Sequence, residues 1–275
     1  MELYDFMIHW NVSPEIFSFG FIHIRWYGLL FAGSFLVGLY IMSKIFRNEN
    51  KSEEDLNDLV WYMIIGTVVG ARLGHCLFYN PSYYLSHPVE ILMVWKGGLA
   101  SHGAAIGILT AIYFYSKKKK DQPYLWVLDR VVITVAIGGA MIRIGNLFNS
   151  EIIGKPTDGS WGFIFERAHV ANPMIPRHPT QIYEAVAYFI TFVVLYSIYK
   201  KHNGKLNEGY LSGLLMVMIF VFRFFVEFFK EVQEPFEVGM TLDMGQILSI
   251  PIIIVGIYLI IRSKKLHKKN KVTNK

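Results

Sequence analysis

The sequence predicts an all-α polytopic integral membrane protein of about seven transmembrane helices, and three observations carry that prediction. Of its 275 residues 53% are hydrophobic and 17% charged, with a mean hydropathy of +0.35, too apolar for a soluble domain of this length. Windows near 19–45, 58–79, 89–115, 124–149, 180–200, 208–230 and 243–262 each reach the roughly 20 apolar residues that a hydrocarbon core of about 30 Å demands. The basic residues also alternate between connections. Lys44, Arg47 and Lys51 lie at or just past the end of the first window, Lys117 to Lys120 past the third, Lys200, Lys201 and Lys205 at or past the end of the fifth, and a lysine-rich run closes the chain. The other connections hold only Lys155, Arg167 and Arg177. Basic loops stay cytoplasmic, so the N-terminus is expected outside and the C-terminus inside.

The elements follow in order. The opening "MELYDFMIHW" lacks the basic segment of a cleavable signal peptide, and the first window is too long for one, so it is expected to remain as a membrane helix. In the second window Gly66, Gly70 and Gly74 recur at four-residue spacing, which lets a neighbouring helix approach closely; packing is the simpler reading of that stripe. The third window is broken by "KGGLASHG" and is expected to hold an irregular or re-entrant piece, tolerated only where protein or a wet cavity surrounds it. After the fourth window, residues 150–179 carry prolines, glycines and aromatics, and a small folded extracytoplasmic cap is expected. The whole of 1–275 reads as one membrane-embedded domain ending in a basic cytoplasmic tail, 263–275. A solvated end touching anionic lipid explains that tail, and the net charge of +6, without nucleic acid. No internal repeat is visible, which argues against repeat-built transporters.

Several function classes are excluded early. A single cysteine, Cys76, permits no intramolecular disulfide, and no Cys/His cluster has zinc-site spacing. No G-x-S-x-G elbow, H-E-x-x-H helix or P-loop occurs. No metal or organic cofactor is expected.

Ionisable groups within apolar windows are expensive unless paired or wet. Arg25, Arg72, Lys96, Arg130, Arg143, Arg223 and Lys230 lie within or beside the windows. Lys230 reads as a snorkelling residue at a helix end, and Arg130, with Asp129 beside it, as a structural or interfacial residue. The outer ends of other windows are richer. "RIGNLFNSEIIG" sets Arg143, Asn146 and Asn149 three residues apart, roughly on one helix face, beside Gly145, and continues through Glu151 and Gly154. "FRFFVEFF" sets Arg223 and Glu227 one turn apart; "GGLASHG" carries His102; "RHPTQIYEA" supplies Arg177, His178, Gln181, Tyr183 and Glu184. Any one of these could be an interhelical hydrogen bond, and Arg223 with Glu227 could be a structural pair. Together, two arginines with few carboxylates suggest a bound anion, and guanidinium forks match phosphate oxygens. A phospholipid headgroup is the anion available at that depth. Read from residues alone, the cavity serves an enzyme, a phospholipid or anion transporter, or a scaffold without chemistry.

These motifs resemble the bacterial prolipoprotein diacylglyceryl transferase family. "RIGNLFNSEIIG" looks like its signature, with Arg143, Gly145, Asn146, Asn149, Glu151 and Gly154. "RWYGL" with Tyr27, "GARLGHCLFYN" with Arg72 and Tyr79, "WKGGLASHG" with His102, "RHPTQIYEA", "FRFFVEFF" and "MGQILSIP" follow in order. Leu147, Ala104 and Lys230 depart from the family pattern, which has Phe, Gly and Arg there.

The resemblance implies transfer of the diacylglyceryl group of phosphatidylglycerol to the lipobox cysteine thiol of a preprolipoprotein signal peptide, giving a thioether and glycerol 1-phosphate. The nucleophile is then the substrate's, which removes any need for a catalytic Cys76. The catalytic groups implied are His102 as base, with Arg143 and Arg223 clamping the phosphate. Tyr27, Arg72, Asn146, Asn149, Glu151, Gly154, Arg177, Glu184 and Glu227 are expected to bind or position substrate. A monomer in the bacterial cytoplasmic membrane, with its site toward the outer leaflet, is expected.

Overall fold

The computed structural model describes residues 7–20, 22–232, 237 and 239–273. In chain order its elements are β1 (Met7–Trp10), β2 (Glu15–Phe19), β3 (Ile22–Arg25), α1 (Trp26–Asn48), α2 (Glu53–Phe78), α3 (Pro81–Ser86), α4 (Pro88–Ile91), α5 (Ser101–Lys118), α6 (Tyr124–Phe148), β4 (Gly162–Phe165), α7 (Thr180–Lys201), α8 (Tyr210–Val226) and α9 (Met244–Thr273). Short 3-10 turns lie at Val94–Lys96 and Glu227–Phe229.

Among the described residues six helices are long and apolar enough to cross a membrane: α1, α2, α6, α7, α8 with the turn after it, and α9. The chain is therefore a helical multi-pass membrane protein. The third expected window, 89–115, holds a shorter helix than the sequence suggests. Gly97 and Gly98 adopt φ of 83° and 71°, a left-handed backbone that ends helix, and Pro81 and Pro88 open only short helices before them. α5 begins at Ser101 and has 18 residues, closing on Lys117 and Lys118. The first window is also corrected. β2 and β3 pair as an antiparallel hairpin, with Gly20 at φ 58°, and helix starts only at Trp26. Hydropathy counts apolar residues whatever their backbone, so it absorbed both segments.

The described chain divides into two compact units, Met42–Leu128 and the remainder. In the first of these, Ser52 caps α2 by accepting from Asp55 N at 3.0 Å, with Glu53, Glu54 and Asp55 in the positive first turn. The glycine stripe of α2 packs on α5. A Cβ added to Gly74 would lie 2.6 Å from Gly103 Cα, and one on Gly70 would lie 2.7 Å from Gly107 Cα. Only glycine lets these backbones meet, as the spacing suggested.

In the other unit, Asp129 is fully buried and accepts from Gly209 N (2.8 Å), Ser212 N (2.8 Å) and Ser212 Oγ (2.6 Å), so α6 caps the start of α8. Arg130 Nη2 donates to Gly204 O at 3.0 Å, in the connection before α8. Both therefore serve the fold. β4 pairs in parallel with β1, and Leu147, Ile153, Phe165 and Ala168 form a small core with Trp10 against it. Trp10 Nε1 donates to Leu147 O at 3.0 Å, which fastens this layer to the end of α6.

Candidate functional site

α6 ends at Phe148, and the loop that follows takes an unusual path. Ser150 and Ile152 have φ of 52° and 56°; for a β-branched residue this conformation is strained, at about 1–3 kcal/mol. Two buried side chains at the start of α7 hold it. Thr180 Oγ1 donates to Ile152 O at 2.9 Å and Gln181 Nε2 to Glu151 O at 2.7 Å. The Glu151 carboxylate is thereby turned back to accept from Asn146 Nδ2 at 2.7 Å and Asn149 Nδ2 at 3.2 Å.

From Asn146 the polar contacts continue inward. Arg143 Nη1 donates to Asn146 Oδ1 at 3.2 Å, and Arg143 Nε lies 3.1 Å from Glu184 Oε2. The other oxygen of Glu184 accepts from Lys230 Nζ at 3.0 Å. Lys230 Nζ also reaches Glu227 Oε1 at 3.2 Å, and Arg223 Nη2 lies 3.2 Å from that same oxygen. The result is a continuous series, Glu151, Asn146, Arg143, Glu184, Lys230, Glu227 and Arg223, in which cations and carboxylates balance. Glu184 is wholly buried, Lys230 and Glu227 nearly so. The side chains of Arg143 and Arg223 retain 14% and 31% exposure, so the two guanidiniums are where this buried series can meet a ligand.

The surrounding residues set this geometry. Gly154 has no room for a Cβ, which would lie 2.8 Å from Phe229 O; its backbone bridges Lys230. Arg177 donates to Gly154 O at 3.3 Å and to Glu231 Oε2 at 2.6 Å, so it fastens backbone. Tyr27 packs its ring on Gly145, where a Cβ would lie 2.8 Å from Cδ2. His178 sits among Trp161, Tyr183 and Phe229, and burial holds its imidazole below the usual histidine range.

In the Met42–Leu128 unit, Arg72 is buried and shapes the irregular segment before α5. Its Nε donates to Ile91 O (3.0 Å), Nη1 to Gly97 O (2.6 Å) and Gly98 O (3.2 Å), and Nη2 to Glu90 O (2.5 Å), with the Tyr84 ring 5.0 Å away. His102 lies in the first turn of α5, exposed, its ring 5.0 Å from that of Phe78 and 5.9 Å from that of Tyr79.

The structure thus joins Arg143, Asn146, Asn149, Glu151, Glu184, Arg223 and Glu227 in one network, backed by Gly154 and Arg177. Two readings change. The arginines are not short of carboxylates, since Glu184 and Glu227 hold one each. Lys230 does not snorkel: it is 3% exposed and bridges both carboxylates. The side chain of Lys96, singled out with these basic residues, lies outside the described part of the structure, as do those of the tail beyond Leu266.

Other contributors escaped the sequence reading. The Tyr188 ring lies 6.0 Å from the Arg143 guanidinium, and Gly139 makes room for it. Gly245 makes room for the Glu227 carboxylate, which a Cβ there would overlap. Tyr188 stands four residues after Glu184, on the same face of α7, and that spacing was its available signal.

The profile of prolipoprotein diacylglyceryl transferase matches residues 14–262. A phosphatidylglycerol-prolipoprotein diacylglyceryl transferase of Chloroherpeton thalassium is 53% identical over 258 residues, spanning 94% of this chain and 95% of the relative. Its namesakes in Tolumonas auensis and Porphyromonas gingivalis are 46% and 43% identical, spanning 94% and 98% of this chain and 98% and 97% of their own.

Proposed function

The chain belongs to the prolipoprotein diacylglyceryl transferase family, and from that premise we propose that it transfers the diacylglyceryl group of phosphatidylglycerol to the lipobox cysteine of prolipoproteins. The cysteine sulfur bonds to the glycerol carbon that carries the phosphate ester, and that carbon–oxygen bond breaks. A thioether forms and glycerol 1-phosphate leaves with the bonding pair on its phosphate oxygen. The observation that supports this most is the pair of partly exposed guanidiniums, Arg143 and Arg223, each oriented by a buried carboxylate. Such forks neutralise the charge that builds on the departing phosphate, and their orientation is set before the substrate arrives.

The thiol, with an ordinary pKa of about 8.5, needs a base. His102 takes that role: it is exposed, and among the described residues it makes only ring contacts, which leaves its nitrogens available for a proton. Arg143 and Arg223 hold the phosphate. Tyr27, Asn146, Asn149, Glu151, Glu184 and Glu227 orient headgroup and guanidiniums, while Arg72, Gly154 and Arg177 shape the backbone around the substrate. The alternation of basic connections supports an outside N-terminus, a cytoplasmic tail and a site facing the outer leaflet of the bacterial cytoplasmic membrane. The chain works as a monomer on signal peptides bearing a lipobox.

One incubation tests this. Purified protein in detergent with phosphatidylglycerol and a lipobox peptide should raise the peptide mass by one diacylglyceryl group on cysteine. A folded protein that leaves the peptide mass unchanged would refute the proposal.

A further inference from the structure

Lys230 is the third cation of the buried series, and its surroundings are unlike those of a residue at a free helix end. Its backbone is pinned: Gly154 bridges it, Lys155 N donates to Phe229 O at 2.8 Å, and Glu231 N donates to Ile153 O at 3.2 Å. The loop that carries Glu151 and the turn that carries Glu227 are therefore fastened to each other at Lys230. From that fixed point its ammonium enters the protein interior and lies between two carboxylates, Glu184 on α7 at 3.0 Å and Glu227 at 3.2 Å.

The consequence follows from what each carboxylate does next. Lys230 occupies Oε1 of Glu184, leaving Oε2 to Arg143; at Glu227 it shares Oε1 with Arg223. An ammonium is a compact charge that two carboxylates can share, so one residue satisfies both. Without it, two buried carboxylates would have only the arginines to neutralise them. They would draw both guanidiniums inward, away from any anion outside.

We propose that Lys230 is a positioning residue that sets both guanidiniums for phosphate at once, by neutralising the carboxylates that orient them. The proposal rests on the transferase reading above, because it takes Arg143 and Arg223 to hold the phosphate.

The test is steady-state transfer with the purified full chain, varying phosphatidylglycerol at fixed lipobox peptide, with thermal unfolding followed in parallel. Lys230→Met should keep its fold at the assay temperature, raise KM for phosphatidylglycerol and lower kcat, so that kcat/KM falls about 10²-fold. Lys230→Arg should recover to within about fivefold of the parent, since its fork can span both carboxylates. The loss should be partly shared with that of Arg143→Lys: the double variant should fall short of the product of the two single losses, the remainder acting through Arg223. A Lys230→Met enzyme within twofold of the parent would overturn the proposal, as would losses at Lys230 and Arg143 that multiply. If Lys230→Met does not fold, Lys230→Gln, which keeps a hydrogen-bond donor but not the charge, replaces it; failure of both to fold assigns Lys230 to structure and also overturns it. A parent chain that transfers nothing would remove the transferase reading itself, an outcome distinct from an active parent indifferent to Lys230.

Discussion

Arg72 and Arg143 are both arginines in apolar helices, yet the two are used in opposite ways. Arg72 spends its guanidinium on the carbonyls of Glu90, Ile91, Gly97 and Gly98, and is 3% exposed. The Glu90 and Ile91 carbonyls close the short α4 and those of Gly97 and Gly98 lie in the left-handed stretch after it, so one guanidinium ties the two stretches together and this arginine is a folding device. Arg143 is held by a carboxylate and an amide side chain, and part of it stays accessible. A carboxylate orients a guanidinium while leaving its remaining N–H groups for an incoming phosphate. Buried arginine in a membrane protein is therefore not one signal; its partners decide whether it supports backbone or awaits an anion.

The comparison can be broken or sharpened by substitution. The largest effect belongs to the proposed base: His102→Gln should lower kcat for transfer by about 10²- to 10⁴-fold, with phosphatidylglycerol binding within about twofold of the parent, measured by lipid titration. Normal turnover would remove His102 from the chemistry. Next, Arg143→Lys keeps a charge but loses the fork and should lower transfer by about 10²- to 10³-fold with little change in thermal midpoint. Arg72→Met should act on the other axis. It strands several carbonyls and should cost about 3 kcal/mol or more, read as a lower thermal midpoint and earlier proteolysis after residue 80. Unchanged stability in that variant would erase the contrast.

The smallest effect concerns pH. Burial lowers the His178 pKa below its unfolded value of 6.5. As pH falls through 6.5 the unfolded chain takes up a proton that folded His178 resists, so stability declines toward acid. His178→Phe should flatten that decline in thermal midpoint between pH 8 and pH 5; an identical slope would show that His178 does not contribute to it.

Much of this was legible in the sequence where hydropathy and backbone agree. The windows at 124–149 and 180–200 coincide closely with α6 and α7, Tyr124–Phe148 and Thr180–Lys201, because apolar composition and helix run together there. They separate at Gly97 and Gly98, where apolar sequence follows a left-handed backbone, and at β2 and β3, where it forms a hairpin. The site followed the same rule. Arg143, Asn146 and Glu151 were readable from spacing along one helix and its exit, and Arg223 with Glu227 from one helical turn. Lys230 was not, because its place at the end of an apolar run says nothing of the bridge to Gly154 that folds it inward. Nor were Gly139 and Gly245, whose role is the space they leave for Tyr188 and Glu227.

The contrast between the two arginines is the central claim, and a single assay addresses it. Phosphatidylglycerol and lipobox peptide are incubated with parent, Arg143→Lys and Arg72→Met proteins, each normalised to its folded fraction, and thioether peptide is quantified by mass spectrometry. Arg143→Lys should be fully folded and produce almost none, while Arg72→Met should lose folded protein more than activity per folded molecule. Full turnover by Arg143→Lys would contradict the claim, because a point charge would then serve as well as the carboxylate-held fork.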